Sequence, residues 1–487
     1  MKYRGIMLLG TASSVGKSTV AAAFCRYFKK KGYSVAPYKA LNISLNSFVT
    51  KEGDEIGRAQ VVQAEACEID PKEYMNPILM KPSAGFKTQV IVRGKVYCTM
   101  DAYKYKDLNK YLKEKAKEAY DDISKDYDLI VLEGSGSCAE INLRETDIAN
   151  MQTAKMADAD VILVADIDRG GVFASIVGTI MLLTEEERKR VKGVIINKFR
   201  GKKEFFEPAM RQIEEIINIP VLGVMPYFDL DIEEEDSASI KIREGNNKGV
   251  DIAIVRLPHM SNFTDFNALS RIKDVGIRYA ENTKDLDNAH MIIIPGSKNT
   301  IDDLIYLKES GFKDKILEKK AEGKLIFGIC GGYQILGEKI IDSLGVEGSI
   351  REEEGLGLLN IKTSFNKQKT TKQVIAFDSE GNEVSGYEIH NGESIPTKEE
   401  LVWLKDQEDN ALGMKDEASK VLGTYIHGIF DEGDFGIKLI NKLKKELNLE
   451  ESHEMRYKDY KISQYNKLCE LLEENIDMDY VENLIRS

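Results

Sequence analysis

Short runs of Val, Ile and Leu, each halted by a turn and followed by an amphipathic stretch, recur along this chain and leave it few folds to choose from. In the first half they are IMLLG (6–10), SVAPYK (34–39), TQVIVRG (88–94), DLIVLEG (128–134), DVILVADI (160–167), GVIINK (193–198) and PVLGVMP (220–226). Runs that are apolar on both faces belong to strands covered on both sides. Helical segments such as LNKYLKEKAKEAYDDIS and LLTEEERKRV lie between them and supply the covers. The expected fold class is α/β, built on a mostly parallel sheet.

The alternation stops at DLDIEEEDSASIKIREGNNKG (229–249), which is acidic and then turn-rich. It resumes with VDIAIVRLP (250–258), HMIIIPGSK (290–298), KLIFGICGG (324–332) and KVLGTYIHG (420–428). This pattern predicts a first domain over 1–230, a linker over 231–249 and a second α/β domain over 250–449. A charged helical extension follows over 450–487, with Tyr465, Leu468, Leu471 and Leu472 on one stripe.

A length of 487 residues suffices for two or three cores. The formal charge of −13 argues against nucleic acid or an anionic membrane as partner, since both need a basic face. The six cysteines are scattered and form no C-x-x-C pair, which fits a reducing cytoplasm and neither a disulfide framework nor a metal cluster. The first apolar run is too short for a secretory h-region, and no run approaches a membrane span. A soluble cytoplasmic protein acting on small molecules is expected, with a homo-oligomer left open.

GTASSVGKST (10–19) sits where a strand runs into a helix. There, backbone N–H groups and a helix N-terminus can hold phosphate oxygens, Lys17 can supply a positive charge, and Ser18 can ligate Mg²⁺. The spacer from Gly10 to Gly16 is one residue longer than in the usual G-x-x-x-x-G-K-[ST]. Glu133 closes DLIVL at the sheet edge where ligands bind and is a second candidate Mg²⁺ ligand. Arg144 and Asp147 lie just beyond it, and Asp166, Asp168 and Arg169 repeat the arrangement after the next strand. Each of these five reads equally well as a salt-bridge member.

The long loop, G-T…V-G-K-S, resembles that of the dethiobiotin-synthetase-like ATPases, P-loop NTPase-type domains that phosphorylate a carboxylate. KALNISLNSFVT (39–50), EIGRAQVVQAEA (55–66), MNPILMKP (75–82), QVIVRGK (89–95) and EINLRETDIANM (140–151) are similar to the cobyrinate amidase group of adenosylcobalamin biosynthesis. The resemblance implies ATP and Mg²⁺ as cofactors. It places the nucleotide on Gly10, Thr11, Gly16, Lys17, Ser18, Thr19, Lys39 and Asp147, with Ser18 and Glu133 as metal ligands.

FGICGGYQILG (327–337) has the form of a nucleophile elbow: Cys330 follows an apolar strand, is flanked by glycines, and leads into a helix. A thiol at such a helix N-terminus is set up for attack. The N–H groups of Gly331 and of the Gly296–Ser297 turn are candidate oxyanion donors. Of the five histidines (His259, His290, His390, His427 and His453), His427 at the end of VLGTYI is the first candidate for the base and His390 the rival. The Cys–His pair resembles class I glutamine amidotransferases. Most of these carry a Glu two residues after the His, where this chain has Ile429. The cobyrinate group shares that departure, which leaves Glu388 and Glu432 as unsupported candidates for orienting the ring.

The resemblance implies amidation of four peripheral carboxylates of adenosylcobyrinic acid a,c-diamide, using ATP and glutamine-derived ammonia. A two-amidation enzyme acting on cobyrinic acid, and a P-loop ATPase carrying a non-catalytic amidotransferase-like module, are the alternatives.

Overall fold

The computed structural model describes residues 3–83, 87–101, 105–233, 249–453 and 456–486. The chain divides into two compact units. One comprises 1–44, 54–235 and 461–487; the other comprises 45–53 and 236–460. Most of the expected linker, 234–248, lies outside the described residues.

The first unit is built on strands β1 (Ile6–Gly10), β2 (Val35–Tyr38), β3 (Leu129–Glu133), β4 (Asp160–Asp166), β5 (Val191–Phe199) and β6 (Val221–Pro226). They form one parallel sheet in the order β6-β5-β4-β1-β3-β2. Alternate side chains of β1 feed opposite cores. Met7 and Leu9 join one cluster; Ile6 and Leu8 join the other, with Phe24 and Phe28 of helix α1 (Lys17–Lys30). The C-terminal stripe packs into that second cluster through Tyr465, Leu468 and Leu472, and Leu471 lies half-buried beside it.

TQVIVRG is a strand as expected, Lys87–Val92, but it is not part of the parallel sheet. It forms an antiparallel ladder with Ile78–Ser83 and Lys95–Asp101. The reason is local. Arg93 and Gly94 both take positive φ (47° and 77°), the backbone of a two-residue hairpin turn, so the chain doubles back at once.

The second unit begins with β7 (Val250–Val255), β8 (Val275–Ala280), β9 (Met291–Ile294) and β10 (Leu325–Ile329). It continues with the long hairpin β11 (Ile361–Asp378) and β12 (Glu383–Pro396), and with β13 (Val421–Thr424). The parallel part runs β8-β7-β9-β10-β13, and antiparallel strands extend it beyond β13. β10 turns into the short helix α2 (Gly331–Leu336) so tightly that a methyl group on Gly332 would lie 1.9 Å from the Ile294 carbonyl oxygen. Backbone on both sides of that contact cannot yield cheaply. Gly332→Ala should therefore lower stability by about 1–3 kcal/mol or more, seen as a reduced urea midpoint, with loss of the Cys330 turn geometry.

Candidate active site

The phosphate-binding loop fills the turn between β1 and α1. Gly16 sits at φ 94°, and a side chain there would collide with Asn197 Nδ2 at 2.2 Å. That amide donates to the Val15 carbonyl at 2.9 Å, and Lys198 Nζ donates to the Ser14 carbonyl at 2.7 Å, so β5 pins the loop from the side. Lys17 curls over the loop, donating to the carbonyls of Ala12 (3.2 Å) and Gly136 (2.9 Å). Gly10 lies beneath that side chain, and Thr11 donates its backbone N–H to the Val164 carbonyl. Thr19 is half-buried in the first turn of α1.

Glu133, almost fully buried, meets the loop from β3. One oxygen accepts from the Ser18 hydroxyl at 2.6 Å and from Lys39 Nζ at 3.2 Å; the other accepts from Gln63 Nε2 at 2.6 Å. The two expected metal ligands thus face each other, and their hard oxygens suit Mg²⁺. Lys39 holds the carboxylate in place through a buried ion pair, and Gln63, which the sequence reading did not single out, shares that task.

A cavity of about 600 Å³ opens beside the loop. Ser13 and Gly136 of the loop region line it, together with the apolar side chains of Leu41, Met80, Val90 and Met100. Asp147 also lines it, but its carboxylate is occupied by backbone. It accepts from the N–H groups of Ala149 and Asn150 (both 2.9 Å) and of Gln152 (3.0 Å), fixing the entry to helix Met151–Met156. Burial pushes its pKa above the ordinary carboxylate value, against those hydrogen bonds. Asp166 pairs with Lys198 at 2.9 Å and Asp168 with Arg200 at 2.7 Å, while Arg169 is exposed and Arg144 donates to the Leu182 carbonyl. The salt-bridge reading describes the two aspartates Asp166 and Asp168.

In the second unit, Cys330 adopts φ 51° and ψ −107°, a strained backbone for a residue with a side chain. Its N–H donates to the Thr424 carbonyl on β13, and its Sγ lies 3.7 Å from the Ile389 carbonyl oxygen. The buried His427 ring lies just past β13 and interacts electrostatically with Cys330. His427 Nδ1 meets Asp265 Oδ2 at 2.7 Å, and the Gly428 N–H donates to Asp265 Oδ1 at 3.0 Å. Tyr387 stacks on the imidazole, with centroids 5.5 Å apart and planes 21° apart. Burial disfavours the imidazolium, yet the Asp265 carboxylate and Cys330 outweigh it and push His427 up to about 10.

Asp265 is therefore the residue that holds His427. Glu388 instead pairs with His390 (3.2 Å) and Lys372 (3.0 Å), and Glu432 accepts weakly from Ser385. His390 has both ring nitrogens engaged, one with Glu388 and one with the Gly392 carbonyl, so the rival is spoken for. Ile429 is fully buried in a hydrophobic cluster. Nothing in SNFTDFNALS (261–270) marks Asp265, because its partner is 162 positions away and the pairing exists only in three dimensions.

The expected oxyanion groups converge. The Ser297 amide nitrogen lies 2.8 Å from where a Cβ on Gly331 would sit, and Gly296 packs against the edge of the His427 ring. Buried Asp303 accepts from the Ser297 hydroxyl at 2.5 Å and contacts His259 Nδ1 at 2.8 Å, which steadies the turn.

Because the folded value of His427 lies above the ordinary 6.5, the pair with Asp265 stabilises fully below pH 6.5, and that stabilisation is lost as pH rises toward about 10. Asp265→Asn should cut glutamine hydrolysis about 100- to 10,000-fold. It should also move the alkaline limb of the pH–rate profile to lower pH, since the imidazolium has lost its carboxylate; steady-state assays across pH 6–11 read both.

Comparison with known proteins gives concordant matches. Residues 6–240 match a family described as the CobQ/CobB/MinD/ParA nucleotide binding domain, and residues 251–435 match the CobB/CobQ-like glutamine amidotransferase domain. A cobyric acid synthase of Clostridium perfringens strain 13 is 88% identical over 487 residues, covering 100% of both chains. Cobyric acid synthases of Clostridium botulinum strain Alaska E43 and Clostridium tetani strain Massachusetts are 58% and 47% identical, covering 100% and 99% of each chain respectively.

Proposed function

This chain belongs to the cobyric acid synthase family, and from that premise we propose that it amidates four peripheral carboxylates of adenosylcobyrinic acid a,c-diamide, using ATP and glutamine, to give adenosylcobyric acid. The observation that carries the reading is the presence, in one chain, of the Cys330–His427–Asp265 array and of a phosphate loop facing Glu133. We assign carboxylate activation to residues 1–230 and ammonia production to 250–449, with 450–487 as a helical extension. Among the described residues no helix is long and apolar enough to cross a membrane. Small-molecule substrates in the cytoplasm, where ATP and glutamine are at hand, fit this chemistry.

At the glutaminase site, the Cys330 thiolate attacks the side-chain amide carbon of glutamine. The oxyanion that forms is met by N–H groups of the Gly331 turn and of Gly296–Ser297. The His427 imidazolium passes its proton to the departing nitrogen, ammonia leaves, and a thioester remains on Cys330. His427, now neutral, takes a proton from water, whose oxygen attacks the thioester and releases glutamate. Asp265 keeps the imidazole in the tautomer and orientation both steps need.

At the phosphate loop, Lys17, Ser18 and Thr19 at the start of α1 would hold the nucleotide phosphates together with the amides of residues 10–16. Ser18 and Glu133 would hold Mg²⁺, which when bound offsets negative charge on those phosphates. Lys39 and Gln63 keep Glu133 aimed at Ser18. A carboxylate is a poor electrophile; as an acyl phosphate it accepts ammonia and releases phosphate.

Incubation with ATP, glutamine and adenosylcobyrinic acid a,c-diamide, followed by mass spectrometry, should show four successive acid-to-amide exchanges. Two exchanges on cobyrinic acid instead would overturn the substrate assignment. Cys330→Ala should abolish glutamine-dependent amidation while ammonium-dependent amidation persists, and Lys17→Ala should lower both about 100-fold or more.

A further inference from the structure

The stretch LNISLNSFVT in the N-terminal half carries chemistry that the mechanism above does not use. Its residues 45–50 fall in the segment 45–53 that belongs to the second unit, although the chain before and after that segment belongs to the first. Four consecutive residues there touch the parts that hold His427. The Thr264 hydroxyl donates to Asn46 Oδ1 at 3.3 Å, one residue before Asp265. The Ser47 carbonyl accepts from Asn262 Nδ2 at 3.3 Å and from the Tyr387 hydroxyl at 3.1 Å, and Asn262 also donates to that hydroxyl. Phe48 packs on Tyr387 with centroids 4.9 Å apart, and Val49 closes a small cluster with Tyr387 and Ile389.

These contacts converge on one task. Asn262 sits at φ 51° and opens the single 3₁₀ turn Phe263–Phe266 that carries Asp265, so that turn has little helical cooperativity of its own. Tyr387 exchanges backbone hydrogen bonds with His427 and stacks on its ring. The Ile389 carbonyl oxygen lies 3.7 Å from the Cys330 sulfur. Asn46 and Ser47 are almost fully buried, so their bonds are not competed away by water.

We infer that Asn46–Val49 is a positioning element of the glutaminase, supplied from the N-terminal half of the chain: it locks the Asp265 turn and the Tyr387 ring, and through them the His427 imidazole. The inference rests on the glutaminase reading given above. The segment touches none of the reacting atoms. Its effect is on the fraction of time His427 is correctly aimed, and so on kcat for glutamine.

Two nearly isosteric variants of the full-length protein test it. Thr264→Val removes the hydroxyl that reaches Asn46 and keeps the shape. Tyr387→Phe removes the bonds to Ser47 and Asn262 and keeps the ring on His427. Each should lower kcat for glutamine hydrolysis about tenfold or more with KM for glutamine within about twofold of wild type. Ammonium-supported amidation should be unchanged, and Thr264→Ser, which keeps the hydroxyl, should restore the glutamine rate. Wild-type glutamine kinetics in both variants would overturn the inference, as would a parallel fall of the ammonium-supported rate, which marks general destabilisation. If wild type and Cys330→Ala hydrolyse glutamine equally, the glutaminase reading itself fails.

Discussion

Both candidate sites hang on the same mechanical constraint: a parallel strand must turn at its C-terminal end directly into a helix. After β1 the turn passes through Gly16 at φ 94°, and after β10 through Cys330 at φ 51°. Each turn leaves the amides of a helix start facing outward over the sheet edge, in the one place where an α/β sheet leaves room for a ligand. Glycine takes the left-handed backbone without penalty. A cysteine there stores strain on the order of 1–3 kcal/mol, which only a rigid frame can hold. The close approach of Gly332 to the Ile294 carbonyl and the bond from the Cys330 N–H to Thr424 provide that frame.

Once the turns are made, buried charge decides how they are used. Glu133 and Asp265 are both almost fully buried, and each is surrounded by donors: Ser18, Lys39 and Gln63 for one, His427 and the Gly428 N–H for the other. A cationic partner lies beside each carboxylate, and removing one member of such a buried pair leaves an uncompensated charge that costs about 3–5 kcal/mol. The carboxylates at the two candidate sites are thereby also structural anchors. A single run of chain serves both ends: Lys39 lies on Glu133, and Asn46, seven positions later, lies on the turn that carries Asp265.

Much of this was legible in the residues. Alternating apolar runs give away parallel strands because a strand buried on both faces has no polar positions to show. The loop at 10–19 and the elbow at 327–337 are local, since glycine spacing and the flanking strand and helix determine their geometry together. The pairing of Ser18 with Glu133 followed from both lying at the same edge of one sheet. The hairpin at Arg93–Gly94 was readable in principle, but the apolar run before it looks the same in a parallel and an antiparallel sheet.

The sequence by itself therefore determined the α/β class and the two strand-to-helix turns that carry Lys17 and Cys330, because short-range backbone geometry dictates them, and it left His427 and His390 as rival bases. Only the tertiary structure decided that Asp265 and neither Glu388 nor Glu432 holds His427, that Asp147 is engaged by backbone amides, and that Asn46 and Ser47 serve the second unit. Hydrogen-bond partners 162 or 218 positions apart leave no periodic trace in a chain, since they depend on where two separately formed turns come to rest.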